Sequence, residues 1–167
     1  LHSGYFPVLP SDVPSSNIEL YFDIEAAPDK DLIYLHGVLV VDKNTQAETF
    51  HALLAEAPEE EEKAWFEFLE LVARYPDAPI YHFCPYEAQT VARLANVYGT
   101  DNVDINELLL RFVDIHKQIV DAVTLPVESY ALKHLARWMG FEWRDEDANG
   151  AQSICWYDDW LTTGDRT

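Results

Sequence analysis

Residues 18–25 read Ile18-Glu19-Leu20-Tyr21-Phe22-Asp23-Ile24-Glu25. Apolar and polar side chains alternate, which is the period-two pattern of a β-strand. Ile18, Leu20, Phe22 and Ile24 fall on one face; Glu19, Tyr21, Asp23 and Glu25 fall on the other. Ala26-Ala27-Pro28-Asp29 breaks the strand. Leu32 to Val41 is nearly all apolar and reads as a second, central strand. Asp42-Lys43-Asn44 turns the chain into a third strand, Thr45 to His51. Short connections between strands predict an antiparallel meander.

Beyond the meander the period changes to that of a helix. Pro58 and Glu59 to Glu62 open a helix in which Trp65, Phe68, Leu69 and Val72 recur at i, i+3, i+4 and i+7. The four acids suit the positive end of the helix dipole and need no ligand to explain them. Pro76-Asp77-Ala78-Pro79 ends this segment, and Ile80 to Phe83 is a short strand. Pro85 begins a helix at the first helical position, with the stripe Val91, Leu94, Ala95 and Tyr98. A helix follows over Ile105 to Leu110, and Phe112 to Val123 reads as a helix or a short strand leading into one. Ser129 caps a helix with the stripe Leu132, Leu135, Ala136 and Met139, stopped by Gly140. Arg144 to Gly150 is a polar loop, and Ala151 to Leu161 is helical. The order predicts an α/β fold: a mixed sheet that begins with a three-strand meander, with helices packed on it.

The 167 residues make one domain, long enough to build a core without disulfides. Residues 1–17, with Pro7, Pro10, Pro14 and several serines, read as a linker or lead-in, and residues 18–167 as the domain. No internal repeat is visible, and no apolar run approaches the roughly 20 residues of a membrane span. Cys84 and Cys155 form no zinc or disulfide pattern and favour a reducing compartment, the cytoplasm. Residue 1 is Leu, and Gly164-Asp165-Arg166-Thr167 follows closely on a helical pattern, so both ends read as cut from a longer polypeptide. Eleven Lys and Arg stand against thirty Asp and Glu, a net charge of −19. A nucleic-acid binder that works by unspecific electrostatic grip is usually basic, so that mode is excluded for this chain alone.

Among the acids, Asp23 and Glu25 are the most informative. Residues i and i+2 of a strand share a face, with Cα atoms roughly 6.5–7 Å apart. Two carboxylates there repel unless a cation lies between them, and hard Mg²⁺ or Mn²⁺ is the natural one. The alternative is a hydrated strand end. Glu87 lies where the strand Ile80–Phe83 runs into a helix, at the rim where α/β sheets collect ligands; complementing the helix dipole is its other reading. Asp114 is either a weaker candidate or a helix cap, and His82 reads as a packed or hydrogen-bonded residue before a zinc ligand. Trp143 and Trp156 flank a loop and are the tryptophans placed to stack on a ring; the others read as core. No glycine-rich phosphate loop and no nucleophile elbow occurs.

Taken as a string, these segments resemble a known family. Leu20-Tyr21-Phe22-Asp23-Ile24-Glu25 followed by Ile33-Tyr34-Leu35-His36-Gly37-Val38 resembles the opening of a ribonuclease-H-like domain. Tyr81-His82-Phe83-Cys84-Pro85-Tyr86-Glu87, Val113-Asp114-Ile115-His116, Ser129-Tyr130-Ala131-Leu132-Lys133 and Ser153-Ile154-Cys155-Trp156-Tyr157-Asp158-Asp159-Trp160-Leu161 with Thr163-Gly164-Asp165 resemble later motifs. The likeness is to the C-terminal domain of the RecB-like nuclease family, related to DnaQ-type 3′–5′ exonucleases, and covers Pro10 to the end. It implies hydrolysis of DNA or RNA with two Mg²⁺ or Mn²⁺ ions, roughly 3.5–4 Å apart. By that resemblance Asp23 bridges the metals, Glu25 holds one and orients water, and Glu87 replaces the usual Asp. Asp114, His82 and Tyr86 are supporting or substrate-contacting residues. The family's last acidic motif is expected after Thr167, and a RecB-like nuclease domain before Leu1. Two alternatives follow from the residues: a non-catalytic ribonuclease-H-like module that binds a partner or orders its nuclease neighbour, and a small-molecule phosphoesterase.

Overall fold

A computed structural model describes residues 6–10, 12–143 and 149–164. The elements are β1 (Phe6–Pro7), β2 (Ile18–Ala27), β3 (Leu32–Asp42), β4 (Ala47–Leu54), α1 (Glu61–Ala73), β5 (Ile80–His82) and α2 (Tyr86–Tyr98). They are followed by α3 (Ile105–Leu110), β6 (Phe112–Asp114), α4 (Ile115–Ala122), β7 (Val123–Thr124), α5 (Leu132–Trp138) and α6 (Gly150–Thr163). Five strands form a mixed sheet in the order β4-β3-β2-β5-β6. The meander β2-β3-β4 is antiparallel, while β5 joins β2 in parallel, with Leu20 opposite Ile80, and β6 joins β5 in parallel. The lead-in is tied down where β1 pairs with β7, and again where Tyr81 donates to the Pro14 carbonyl and the Lys43 amide to the Asn17 carbonyl.

The alternation of β2 divides the sheet into two faces. Leu20, Phe22 and Ile24 join Val38 and Val40 of β3 under α1 and α2, whose stripes supply Trp65, Phe68, Leu69, Val72, Val91 and Leu94. Truncating a wholly buried aromatic such as Trp65 or Phe68 to Ala in such a core costs about 3–5 kcal/mol. The opposite face carries Tyr21, Asp23, Leu39 and Phe50 and is open. On α5 the predicted stripe is only partly used: Leu135 is buried, but Leu132 and Met139 are exposed. Gly140 ends the segment at φ 87, a left-handed conformation that glycine adopts without a Cβ penalty. The Arg144–Gly150 loop lies mostly outside the described residues.

One of the four acids at the start of the first helix has a structural task that the dipole argument does not supply. Glu61 is buried, accepting from the Ile33 amide at 2.6 Å and from the Tyr98 hydroxyl at 2.5 Å. It thereby ties α1 to both β3 and α2. Glu19 is likewise buried, at the base of the open face. Burial by itself would raise its pKa, but Lys43, Tyr81, Ser15 and Tyr21 all donate to its carboxylate and hold it down at about 2.

His36 sits in the main core, and neither ring nitrogen has a hydrogen-bond partner among the described residues. Its ring stacks with Phe22 and Phe68 at centroid distances of 6.1 and 5.5 Å. Burial lowers its pKa to about 4 from an ordinary value of 6.5, because the imidazolium has no solvent or partner there. The folded pKa lies below the unfolded one, so stability is complete above about 6.5 and is lost as pH falls through about 4. The loss by linkage is about 3 kcal/mol. His36→Phe should remove this part of the acid sensitivity. Urea midpoints of both proteins between neutral pH and about 4 measure it, and equal pH slopes would contradict it.

Candidate functional site

The carboxyl ends of the parallel strands β2 and β5 lie side by side, with Asp23 and Glu25 on β2 and Glu87 in the first turn of the helix that follows β5. Asp23 is directly opposite Gly37 in the β2–β3 register. A Cβ at Gly37 would meet the Phe50 ring at 3.4 Å and the Asp23 carbonyl oxygen at 3.6 Å, so glycine keeps the space beside Asp23 clear. One residue further, the register slips between Glu25 and Ala26, leaving Tyr34 of β3 as the extra residue of a β-bulge. The bulge turns Tyr34 out of the main core toward α6. There its ring stacks on Tyr157 at 4.2 Å and its hydroxyl lies 2.7 Å from the Ser153 hydroxyl.

This arrangement governs Glu25. Burial and then the Asp23 charge raise its pKa, while hydrogen bonds from Ser153 and Tyr34 oppose the rise. The first turn of α6 lies close by, since a Cβ at Gly150 would stand 4.0 Å from Glu25 Oε2. Helix α6 is anchored by Tyr157 donating to the Ala55 carbonyl, by Trp160 donating to the Glu56 carbonyl, and by the Lys30–Asp158 pair at 2.7 Å.

Asp23 is exposed along the strand but hemmed in by the cleft walls. Burial and then the Glu87 charge raise its pKa, and the Ile24 amide lowers it. Glu87, in the first turn of α2, is itself buried. Its Oε2 lies 3.4 Å from His82 Nδ1 but has no hydrogen-bond partner among the described residues. The His82 Nδ1 contacts the Cys84 carbonyl at 2.7 Å instead. Asp23 thus feels the charge of Glu87 and acts on Glu25.

Behind them, Asp114 braces the turn that delivers Glu87. Its Oδ1 accepts from the Cys84 amide and from the Lys117 amide, each at 3.1 Å. It therefore caps α4 and pins the β5–α2 connection with the same oxygen. Cys84 holds φ 72, an uncommon conformation for a residue with a Cβ, and the Asp114 and His82 contacts secure it. Tyr86 is exposed and lines a second pocket, not the cleft that holds Asp23. Trp156 is half exposed on α6, and Trp143 packs edge-on to Phe141 beneath Lys133.

Asp23 and Glu25, but not the buried Glu87, line an open cleft of about 420 Å³ on the uncovered face of the sheet, with Tyr21, Gly37, Leu39, Phe50, Tyr81 and Phe83 among its walls. No lysine or arginine lines it. The donor chemistry suits a hard divalent cation: three carboxylates, two with raised pKa, and one bare buried oxygen. Among the described residues, no three His, Cys, Asp or Glu side chains are drawn together tightly enough to hold one ion as they stand.

A mixed five-strand sheet with acids gathered at the carboxyl ends of its neighbouring parallel strands defines a ribonuclease-H-like α/β domain. Residues 20–167 match the family model described as RNase_H superfamily, and the chain belongs to that superfamily. Membership points to a nuclease-type or nucleic-acid-related function. No curated protein and no solved structure matches the chain. No helix among the described residues is long and apolar enough to cross a membrane.

Sequence reasoning singled out the acids but missed what holds them. Tyr34 and Ser153 carry no local signal, since their meeting depends on the bulge and on where α6 lands. Gly37 did carry one: a glycine inside a strand marks a close approach.

Two outcomes follow. The folded pKa values of Asp23 and Glu25 lie above their unfolded ones, so their burial, with the Glu87 charge beside Asp23 and the Asp23 charge beside Glu25, costs stability at neutral pH and is relieved as pH falls through the folded values. Asp23→Asn should therefore raise the Tm at neutral pH, with the gap closing on acidification; a lower Tm contradicts the electrostatic picture. Asp114→Ala, by contrast, should lose about 1–2 kcal/mol through the missing cap, read by urea unfolding.

Proposed function

We propose that the chain is a metal-dependent nuclease domain, hydrolysing phosphodiester bonds of DNA or RNA in the manner of the 3′–5′ exonucleases. The observation that carries this reading is that Asp23 on β2 feels the charge of Glu87 at the start of α2 and acts in turn on Glu25, where β2 and β5 run parallel in an RNase_H superfamily chain. These three carboxylates would hold Mg²⁺ or Mn²⁺. Such an ion, when bound, lowers the pKa of its water and stabilises the leaving oxygen.

The chain's own residues prepare the site. Ser153 and Tyr34 orient Glu25, and Asp114 fixes the turn from which Glu87 projects. Gly37 leaves room for a phosphodiester beside Asp23. Tyr21, Phe50 and Phe83 offer ring faces on which unpaired bases stack, a grip that needs no basic surface. The resemblance of the string of motifs to RecB-like and DnaQ-type nucleases supports the exonuclease form.

The net charge of −19 favours a second reading, a non-catalytic module that orders a neighbouring nuclease domain. One assay decides between them. With Mn²⁺ and end-labelled single-stranded DNA and RNA, the nuclease reading expects cleavage that falls at least about a hundredfold in Asp23→Asn and in Glu25→Gln. It also expects Mn²⁺ to raise the Tm of the parent but not of the double variant. Cleavage undiminished in Asp23→Asn refutes the mechanism, and a folded parent that neither cleaves nor responds to Mn²⁺ leaves the module.

A further inference from the structure

We propose that α6 is a latch: it docks apart from the main core, positions Glu25 from outside its own strand, and is coupled to a divalent cation on the acids, so that docking and cation binding favour each other. The separate docking stands on the fold alone; the coupling rests on the nuclease reading. The packing is divided in this way. Buried side chains of β2, β3, α1, α2 and α3 build the main core, and among the described residues no side chain of α6 belongs to it. Tyr157 is the one buried residue of α6. It belongs to a second, smaller cluster with Ala27, Leu32 and Tyr34, against which Leu35, Trp160 and Leu161 pack. Further along the helix, the Trp160 bond to the Glu56 carbonyl and the Lys30–Asp158 pair are exposed to water. An element held by so small a core opens locally, at a lower free energy than the strands and helices of the main core.

The end of α6 that reaches the acids is its first turn. Asn149 caps it by accepting from the Gln152 amide at 3.0 Å. Gly150 passes beside Glu25, which brings the positive end of the helix close to that carboxylate. Ser153 and Tyr157 stand at i and i+4, on one face of the helix. Ser153 hydrogen-bonds Glu25, and Tyr157 stacks on Tyr34, whose hydroxyl meets both Ser153 and Glu25. Tyr34 therefore belongs to the latch core and to the site at once. When α6 lifts, Glu25 loses Ser153, and Tyr34 loses the ring that holds it in place. The hydrogen bonds from Ser153 and Tyr34 favour the charged form of Glu25, and that is the form a cation requires. An ion that binds the docked state better must hold α6 down, and docking must tighten its binding by the same factor.

The test is amide hydrogen exchange on the 167-residue chain, with and without Mn²⁺. Without the ion, the amides of residues 154–161 should exchange at least about tenfold faster than those of β2 and α1, by local opening. Mn²⁺ should slow them about tenfold, and Asp23→Asn should abolish that slowing while α6 stays docked. Tyr157→Ala should release α6 with β2 and α1 still protected. Ser153→Ala, which keeps the Tyr157 anchor, should weaken Mn²⁺ binding about tenfold, and Ser153→Thr should restore most of it. Exchange of α6 in step with α1 overturns the latch, as does loss of protection throughout the chain in Tyr157→Ala. Unchanged Mn²⁺ affinity in Ser153→Ala overturns the positioning of Glu25. If Mn²⁺ raises the Tm of the parent but not of Asp23→Asn, and α6 exchange does not move, the coupling fails while the cation reading stands. A folded parent without any response to Mn²⁺ refutes the cation reading and the coupling with it.

Discussion

The two faces of β2 have opposite needs, and the rest of the molecule is arranged around that conflict. Leu20, Phe22 and Ile24 must leave water, so α1 and α2 cover them. The same alternation forces Tyr21, Asp23 and Glu25 to the other side, whatever the cost of placing carboxylates in the middle of a sheet. That cost shows in the raised pKa values of Asp23 and Glu25, which burial produces first, with the Glu87 charge added at Asp23 and the Asp23 charge at Glu25. Glu19, on the same side, escapes it because four donors surround its carboxylate. Four positions along one strand, the surroundings separate an acid that holds the fold together from one that stays strained.

Strain at a fixed place is what a reactive site needs, and several neighbours maintain it. The bulge at Tyr34 brings a hydroxyl and α6 to Glu25, so that this carboxylate is oriented from outside its own strand. Asp114 serves two amides with one oxygen and holds Cys84 in a left-handed conformation, which sets where α2 begins and so where Glu87 lies. Glu87 Oε2 is left bare at the end of this chain of contacts. In a structure whose other buried carboxylates, Glu19 and Glu61, are fully engaged, that bare oxygen marks the place where the fold invests in something other than stability.

The acidity of the chain bears on substrate handling. A cleft walled by Tyr21, Leu39, Phe50 and Phe83, without a lysine or arginine, cannot attract a polyanion from a distance. Selection must then come at short range, from ring faces, from any cation held by the acids, and from the few donors placed beside them. Duplex nucleic acid presents mainly its phosphates and hides its base faces, so under the proposed nuclease reading this surface would favour unpaired strands.

Much of the fold was legible in the residues. Periods of two and 3.6, Pro28, Pro58, Pro76, Pro79 and Pro85 as punctuation, and the capping acids of α3 and α4 are local quantities that place the strands, the helices and the core stripes. The spacing of Asp23 and Glu25 put both on one face for the same reason. The partnerships were not legible. Glu61 reading as a dipole acid yet bonding β3 and α2, His36 lying unpartnered among aromatic rings, and Ser153 reaching Glu25 from 128 residues away all depend on where whole elements land. Sequence determined which side chains face together along an element, because backbone geometry repeats. Only the tertiary structure decided which acid is satisfied, which is strained and which is left bare, because the energy of a buried charge is set by neighbours distant in the chain.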